Sequence, residues 1–188
     1  ASSSVRDTVP LGFSIFSIAF GKAAFSMASG LADLLAPDVR PLGILVTPAP
    51  APRVLDGFQM FVAGHPVPTA QSLAAGRAIL DLLAACDEHT LVFFLLSGGG
   101  SALVEFPLDP SLTLDDIQSL NRLLGTCGAP IDDINAVRKH LSAVKGGRLA
   151  AAAPRSTKLT FGVSDVPVGR ESALASGPTL PDPTTVAD

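Results

Sequence analysis

The sequence predicts an α/β fold, specifically a three-layer α/β/α Rossmann-like domain built on a mostly parallel sheet. Short apolar runs that each end at Gly, Pro or Ser alternate with amphipathic helical segments, the pattern of a parallel sheet covered on both faces. In addition, 47% of the 188 residues are hydrophobic and only 16% are charged, which favours a large buried core. The length fits one domain, so residues 1–188 are predicted to form a single unit.

Five apolar runs are interpreted as buried strands of this sheet, since strands covered on both faces are apolar throughout. In chain order they are residues 13–20, 42–47, 58–63, 91–96 and 159–163. The first run follows Arg6 and is similar to a signal peptide, but Ser14 and Ser17 interrupt it, so a strand is favoured. The uncharged stretch 8–21 is shorter than the roughly 20 residues of a membrane span. We therefore expect a cytoplasmic protein without membrane contact.

Four helices are predicted between the strands. They are residues 22–35, residues 69–86, a helix behind an N-cap at Thr113, and a helix that follows Pro130. Apolar side chains recur at helical spacing in the third of them, at Ile117, Leu120 and Leu124.

Charge and cysteine content exclude several classes of protein. The 13 Lys and Arg residues against 17 Asp and Glu residues give a net charge of −4, so no basic excess is present to bind nucleic acid. Cys86 and Cys127 cannot form a disulfide framework and are not in a CxxC pair. A reducing compartment is favoured, with a single bridge between them left open.

The strongest local signal is a glycine-rich run directly after the fourth predicted strand, Ser97-Gly98-Gly99-Gly100-Ser101, called here the glycine loop. Three glycines let the backbone approach an anion closely, with hydroxyls at both ends of the run. The alternative is a tight turn that needs glycine for steric reasons. Loops at the carboxyl ends of strands carry ligands in open α/β sheets, so we favour phosphate or carboxylate binding.

Standard nucleotide-binding and hydrolase motifs are absent from the sequence. Leu103 stands where GxGxxG and GxSxG each require a final glycine. Gly21-Lys22 ends the first strand and opens a helix, but Ala23 follows, so the P-loop pattern is incomplete. Lys22 is still placed at the carboxyl edge of the sheet, where phosphates bind. An ordinary surface lysine is the equal alternative.

A basic segment follows Pro130. On the predicted helix, Ile134, Val137 and Leu141 form an apolar stripe that we expect to be buried. The opposite, polar face carries Asn135, Arg138, Lys139 and Ser142, and Lys145 and Arg148 flank Gly146-Gly147 beyond it. A solvated face is one interpretation. The density of cations in an acidic protein favours the other, contact with a small polyanion.

Other polar residues carry weaker signals. Asp165 follows the last strand and could hold Mg²⁺ or accept a proton, or it could cap a turn. His65 and His140 are more often structural, although either could touch substrate, and His89 is expected to have no role. Zinc-ligand spacing is not found.

Seven blocks of sequence, taken together and in order, resemble the N-terminal domain of the glycerate 2-kinase family. They are Phe20-Gly-Lys22-Ala-Ala, Ala63-Gly-His-Pro-Val-Pro68, Leu96-Ser-Gly-Gly-Gly-Ser-Ala-Leu103, Ile134-Asn-Ala-Val-Arg-Lys-His-Leu141, Lys145-Gly-Gly-Arg-Leu149, Ser164-Asp-Val-Pro167 and Ala175-Ser-Gly-Pro-Thr179 with Pro181-Asp-Pro-Thr-Thr185.

The resemblance implies ATP-dependent phosphorylation of D-glycerate at its 2-hydroxyl, with Mg²⁺, to give 2-phosphoglycerate. It implies a Rossmann-like domain and an active site in a cleft shared with a C-terminal MOFRL domain. That domain is missing from the 188 residues, so we expect a truncated chain that needs it as a partner and exposes an apolar surface suited to homo-oligomers.

The resemblance also assigns roles. Lys22 matches the lysine at the reacting phosphate, and the glycine loop would surround phosphate. Our own assignment gives Arg138 a catalytic role, Lys145 and Arg148 a role in holding the cofactor, and Asn135 and His65 contacts to substrate. Asp165 would hold Mg²⁺ or orient the attacking hydroxyl.

Two alternatives stay open at this point. Some members of the family are named hydroxypyruvate reductases, although the missing GxGxxG argues against dinucleotide binding. The other alternative is a half-protein that binds nucleotide or another anion without catalysis.

Overall fold

The computed structural model describes residues 13–36, 39–164 and 166–185. Its strands are β1 (Ser14–Phe20), β2 (Leu42–Thr47), β3 (Phe58–Val62), β4 (Thr90–Ser97) and β5 (Thr157–Val163). All five predicted strands are confirmed, and their ends differ from the predictions by two residues at most. They form one sheet in which every neighbouring pair is parallel.

Six helices accompany the sheet in the described ranges. They are α1 (Ala24–Leu35), α2 (Ala70–Ala84), α3 (Gly100–Leu103), α4 (Leu114–Thr126), α5 (Ile131–Leu141) and α6 (Arg148–Ala152), followed by a 3₁₀ segment, Glu171–Ser176. The four predicted helices are confirmed, including the N-cap of α4, where the Thr113 hydroxyl accepts a hydrogen bond from the Asp116 amide. None of the helices in the described ranges is long and apolar enough to cross a bilayer.

Helices cover both faces of the sheet, which confirms the three-layer α/β/α architecture. On one face, Ala28 and Leu31 of α1 pack with Leu45 and Phe93. The other face carries Ile18, Ile44 and Phe94, and it is covered by α2, α6 and the 3₁₀ segment. Successive residues of each inner strand are therefore buried on opposite faces, and this explains why the strands are apolar without alternation.

The strand order is β3-β2-β1-β4-β5. From β1 the chain moves outward to β2 and β3, and it then crosses back to place β4 on the other side of β1. The direction of winding reverses between β1 and β4, where Phe20 is paired with Leu96 at the carboxyl ends of the two strands. In open α/β sheets this topological switch point is the place where ligands bind.

Both cysteines are free. Cys86 is buried after α2 and its thiol donates a hydrogen bond to the Leu82 carbonyl oxygen, whereas Cys127 is exposed at the end of α4. The two residues do not form the single bridge that the sequence left open.

Two glycine-to-alanine substitutions, one in the sheet and one in a helix, should change the free energy of unfolding in opposite directions. A Cβ atom on Gly43 of β2 would lie 1.9 Å from the Ser17 carbonyl oxygen of β1, so Gly43→Ala forces neighbouring backbones apart. We expect it to lower the free energy of unfolding by about 3 kcal/mol. Gly30 lies in α1 and a Cβ atom there meets nothing within 4 Å, so Gly30→Ala should stabilise the protein by roughly 0.5–1 kcal/mol.

Urea unfolding of the two variants beside the parent protein measures both changes. Equal effects of the two substitutions would contradict the close approach of β1 and β2.

Candidate functional site

The glycine loop and the Gly21-Lys22 turn lie side by side at the switch point. The Lys22 amide donates a hydrogen bond of 2.9 Å to the Gly98 carbonyl oxygen, and the Ala23 amide donates one of 3.0 Å to the Ser97 hydroxyl. Both segments follow neighbouring parallel strands, so the sheet itself brings them together. The sequence placed each segment at a strand end, and the topology makes them one site.

Close contact between these two turns requires glycine at two positions. Gly21 has a φ of 124°, and a Cβ atom there would lie 2.2 Å from the Ser97 hydroxyl oxygen. Gly99 has a φ of 88°, and a Cβ atom on it would lie 2.8 Å from the His65 ring. Both conformations are unfavourable for residues with a side chain. The steric interpretation of the glycine loop is therefore correct for Gly99, and it does not exclude ligand binding.

His65 completes this group from the loop after β3. It follows Gly64, its peptide bond to Pro66 is cis, and its ring packs against Gly99 near Lys22. Burial lowers the pKa of His65, and the positive charge of Lys22 lowers it further. His65 is consequently neutral at pH 7, and Lys22 is the cation of the pair.

Members of the glycine loop have different surroundings. Ser97 is buried and its hydroxyl is used by the Ala23 amide, so this side chain supports the turn. Gly100 is buried as well, and a Cβ atom on it would meet Ala175 at 2.7 Å and Phe20 at 2.9 Å. A Cβ atom on Gly98 would meet nothing within 4 Å. The backbone around Gly98 is thus the part of the loop that a ligand can approach.

Ser101 belongs to a hydrogen-bonded chain that leads to α5. Its hydroxyl lies 2.9 Å from the Ser176 hydroxyl, which in turn donates a hydrogen bond of 3.2 Å to Asn135 Oδ1. A hydroxyl has one proton, so Ser101 is the donor to Ser176. Asn135, predicted to contact substrate, is buried and is tied to the glycine loop through Ser176.

Ser176 is held in an unusual backbone conformation that the sequence did not signal. Its φ is 59° and that of Ala175 is 51°, in the left-handed region that costs free energy for residues other than glycine. Backbone hydrogen bonds hold the segment there, from the Gly146 amide to the Ser176 carbonyl oxygen (3.1 Å) and from the Gly147 amide to that of Gly177 (2.7 Å). Gly146-Gly147 therefore fixes the turn at Ser176.

Lys145 lies away from solvent in an internal ion pair. Its side chain is 1% exposed, its ammonium is paired with the Glu105 carboxylate, and Glu105 also accepts hydrogen bonds from Ser142 and from the Phe106 amide. Burial lowers the pKa of Lys145, while Glu105 opposes the change. This geometry does not support the expected contact between Lys145 and a cofactor. Glu105 was missed, although a single acid after the apolar run 102–104 is a signal for a buried partner.

The predicted orientation of α5 is wrong. Val137 and Leu141, expected to be buried, are 40% and 38% exposed, whereas Asn135, Lys139 and Ser142 are buried. The polar face turns inward because partners for it are present there: Ser176 for Asn135, Asp182 for Lys139, and Glu105 for Ser142.

Lys139 and Arg148 stabilise the end of this basic segment. Lys139 donates a hydrogen bond of 3.2 Å to Asp182, and Arg148 donates one of 2.6 Å to the Lys139 carbonyl oxygen. Burial alone would raise the pKa of Asp182, but hydrogen bonds from Thr184 and Lys139 outweigh it and lower the pKa. Arg148 also lines a cleft of about 500 Å³ together with His140 and Asp182.

Two predicted residues remain, Arg138 and Asp165. Arg138 lines a different cavity, whose walls include neither Lys22 nor any residue of the glycine loop. Asp165 lies outside the described residues, so its predicted role as a metal ligand stays a prediction. Within the described ranges, no group of three or more His, Cys, Asp or Glu side chains is arranged to hold a metal ion.

The fold and this site define a Rossmann-like α/β domain whose switch point carries a glycine-rich loop and a lysine that forms no ion pair with any described residue. The chain belongs to the family DUF4147, a domain of unknown function, whose model matches residues 6–188.

Several proteins are similar to this chain over nearly its whole length. The D-glycerate 2-kinase of Thermotoga maritima is 40% identical over 98% of this chain, and the glycerate 2-kinase of Pyrococcus horikoshii is 41% identical over 93% of it. A protein of Agrobacterium vitis, provisionally named a hydroxypyruvate reductase, is 43% identical over 89%. The chain spans 44%, 38% and 38% of these three proteins, less than half of each.

A solved structure supports the same likeness. The crystal structure of the Thermotoga maritima glycerate kinase superposes with a TM-score of 0.85 at 39% identity, and the match covers 97% of this chain and 44% of that one.

Removal of the Lys22 charge tests the contact between Lys22 and His65. We expect Lys22→Met to raise the pKa of His65, because one of the two causes that lower it is lost. Burial is the larger cause, so the pKa should still lie below the ordinary value of 6.5. Titration of the His65 ring protons by NMR measures the change.

Lys22→Arg keeps the positive charge and is the matched control, which should leave the pKa of His65 closer to that of the parent protein than Lys22→Met does. An unchanged curve for His65 would contradict the proximity of the two side chains.

The buried ion pair makes a separate prediction about stability. Lys145→Met leaves the Glu105 carboxylate buried without its cation, so the free energy of unfolding should fall by about 3–5 kcal/mol. The double variant Lys145→Met/Glu105→Gln should regain a substantial part of that loss, since the stranded charge is removed.

Arg77→Met breaks the exposed pair with Asp81 and serves as a control that should cost less than about 1 kcal/mol. Guanidinium unfolding measures all three variants. A loss for Lys145→Met as small as that for Arg77→Met would argue against a buried pair.

Proposed function

We propose that this chain is the phosphate-binding part of a glycerate 2-kinase, which transfers the γ-phosphoryl group of ATP to the 2-hydroxyl of D-glycerate and gives 2-phosphoglycerate. The observation that carries the proposal is the position of Lys22 beside the glycine loop at the switch point of the sheet. The names of the Thermotoga maritima and Pyrococcus horikoshii relatives supply the reaction.

Lys22 is suited to the charge that develops in phosphoryl transfer. It is exposed, and its ammonium has no ion-pair partner among the described residues, so it is available for a phosphate. Neutral His65 beside it can donate or accept a hydrogen bond without adding charge. Phosphoryl transfer depends on positioning and charge neutralisation, and both follow from a cation held on a rigid turn.

The glycine loop fits the phosphates of ATP in its accessible part. Gly98 leaves open space above the backbone, and Gly99 brings the chain into the left-handed conformation typical of anion-binding turns. Ser97 and Gly100 would act indirectly, by holding the loop against α1 and the 3₁₀ segment. Ser101 and Asn135, joined through Ser176, would set the position of the loop relative to the substrate.

Mg²⁺ would supply charge neutralisation at the β- and γ-phosphates. It binds through one or two carboxylates together with phosphate oxygens and water, so one acid at the end of β5 is sufficient from the protein. Asp165 is our candidate for that ligand, or for the group that orients the attacking hydroxyl. Asp182 is less suitable because its carboxylate already accepts hydrogen bonds from Lys139 and Thr184.

The glycerate site would be completed by protein beyond this chain. The relatives are about twice as long, which supports an active site shared with a C-terminal domain. Arg148, which lines the cleft of about 500 Å³ with His140, is the candidate contact to glycerate from this chain.

Cytoplasmic location and homo-oligomer formation are further parts of the proposal.

Product formation tests the proposal directly. We would incubate Mg-ATP and D-glycerate with this chain, and with this chain joined to the C-terminal part of the Thermotoga maritima relative, and follow 2-phosphoglycerate by phosphorus NMR. Product is expected at least from the joined protein. Lys22→Met should lower the rate about 10²–10³-fold, while the exposed control Arg77→Met should not.

Absence of product from both folded proteins would contradict the kinase. Product from the chain alone would show that this domain is sufficient, and nucleotide binding without turnover would favour the half-protein alternative.

Hydroxypyruvate reduction is the second candidate, favoured by the provisional name of the Agrobacterium vitis relative. Hydroxypyruvate-dependent oxidation of NADH by the same proteins would support it. The loops after β1 and β4 both lack the GxGxxG pattern, so we expect no such oxidation.

A further inference from the structure

A cavity of about 190 Å³ lies between α4, α5 and the segment 105–112, away from the switch point. Its walls are mostly apolar, formed by Pro107, Leu112, Ile117, Leu120 and Leu141. Leu141 is 38% exposed, so a molecule can reach the cavity from solvent. An apolar cavity of about 150 Å³ accommodates a benzene ring, which sets the size of ligand that would fit.

Arg138 is the cation in the wall of this cavity, and it lacks a partner. Its Nε atom is buried with no hydrogen-bond acceptor, and no ion pair to Arg138 is found among the described residues. A buried guanidinium nitrogen without an acceptor costs free energy, so natural structures rarely leave one unpaired.

The other polar side chains of the wall already have partners. Asn121 donates to the Ile117 carbonyl oxygen, and the Asp116 carboxylate accepts from the amide and the hydroxyl of Thr113. Glu105 is the nearby carboxylate, but it is paired with Lys145. Neither carboxylate of the wall forms an ion pair with Arg138 in the described part of the chain, so its Nε atom is left without an acceptor beside the cavity.

A lowered pKa agrees with this geometry. Burial lowers the pKa of Arg138, and Glu105 only partly opposes the change. Arginine stays charged in proteins in spite of such burial, so a hydrogen-bond acceptor for its guanidinium would stabilise it.

We propose that this cavity binds a small monocarboxylate with an apolar body, with the carboxylate on Arg138 and the body against Ile117, Leu120 and Leu141. An apolar wall disfavours glycerate, whose hydroxyl groups would be left without partners there. The cavity is therefore a second ligand site, distinct from the one formed by Lys22 and the glycine loop. It replaces the catalytic role predicted for Arg138.

Benzoate is the probe that tests the proposal. Its ring fits the apolar wall and its carboxylate can form paired hydrogen bonds with arginine. Titration of the protein with benzoate, followed by NMR, should shift resonances of α4 and α5 with a millimolar or tighter Kd. Benzamide has the same shape without the charge and should bind about tenfold or more weakly.

Two matched arginine variants locate the interaction. Arg138→Gln should weaken benzoate binding about tenfold or more, whereas Arg122→Gln on the exposed side of α4 should leave it unchanged. Saturating Mg-ATP and D-glycerate should leave the benzoate titration unaltered, because the two sites share no residue. If Arg138→Gln does not fold, Arg138→Lys and the comparison of benzoate with benzamide replace it.

Equal binding of benzoate and benzamide, equal binding to the parent and Arg138→Gln, or displacement by D-glycerate would each overturn the proposal. So would the absence of binding at millimolar benzoate. None of these outcomes bears on the kinase assay, which uses neither probe.

Discussion

The close approach of β1 and β4 at their carboxyl ends is the constraint on which the candidate site depends. The two turns share backbone and side-chain hydrogen bonds, and Gly21 lies so close to Ser97 that a Cβ atom has no space. Lys22 is consequently fixed relative to the glycine loop by the sheet itself. Strand pairing thus fixes the backbone from which the exposed Lys22 side chain extends.

The glycine loop is also held by contacts with the turn at Ser176 and, through it, with α5. The polar face of α5 turns inward and meets the left-handed turn at Ser176, which the Gly146-Gly147 backbone keeps in place. Buried polar groups need partners, so these residues specify one arrangement of α5 and the 3₁₀ segment. Hydrogen bonds from both the backbone and the side chain of Ser176 thus offset the cost of its left-handed conformation.

Most of the fold could be predicted from the sequence, and part of the site could not. Apolar runs identified all five strands because strands buried on both faces leave a continuous signal, as in β4. Periodicity failed for α5, since it assumes that the apolar side of a helix is the buried one. Asn135 and Lys139 are buried in place of Val137 and Leu141. Their partners lie more than 40 residues away in the chain. Local patterns carry no information about such distant partners.

The balance of charge distinguishes the cations that support the fold from those available to a ligand. Lys139 and Lys145 each have a carboxylate partner. Lys22 and Arg138 form no ion pair with any of the described residues. Their surroundings differ, because Lys22 is exposed beside the glycine loop whereas Arg138 is partly buried in a mostly apolar wall. The two proposals therefore assign anions of different chemistry to these cations, a phosphate to Lys22 and an apolar carboxylate to Arg138.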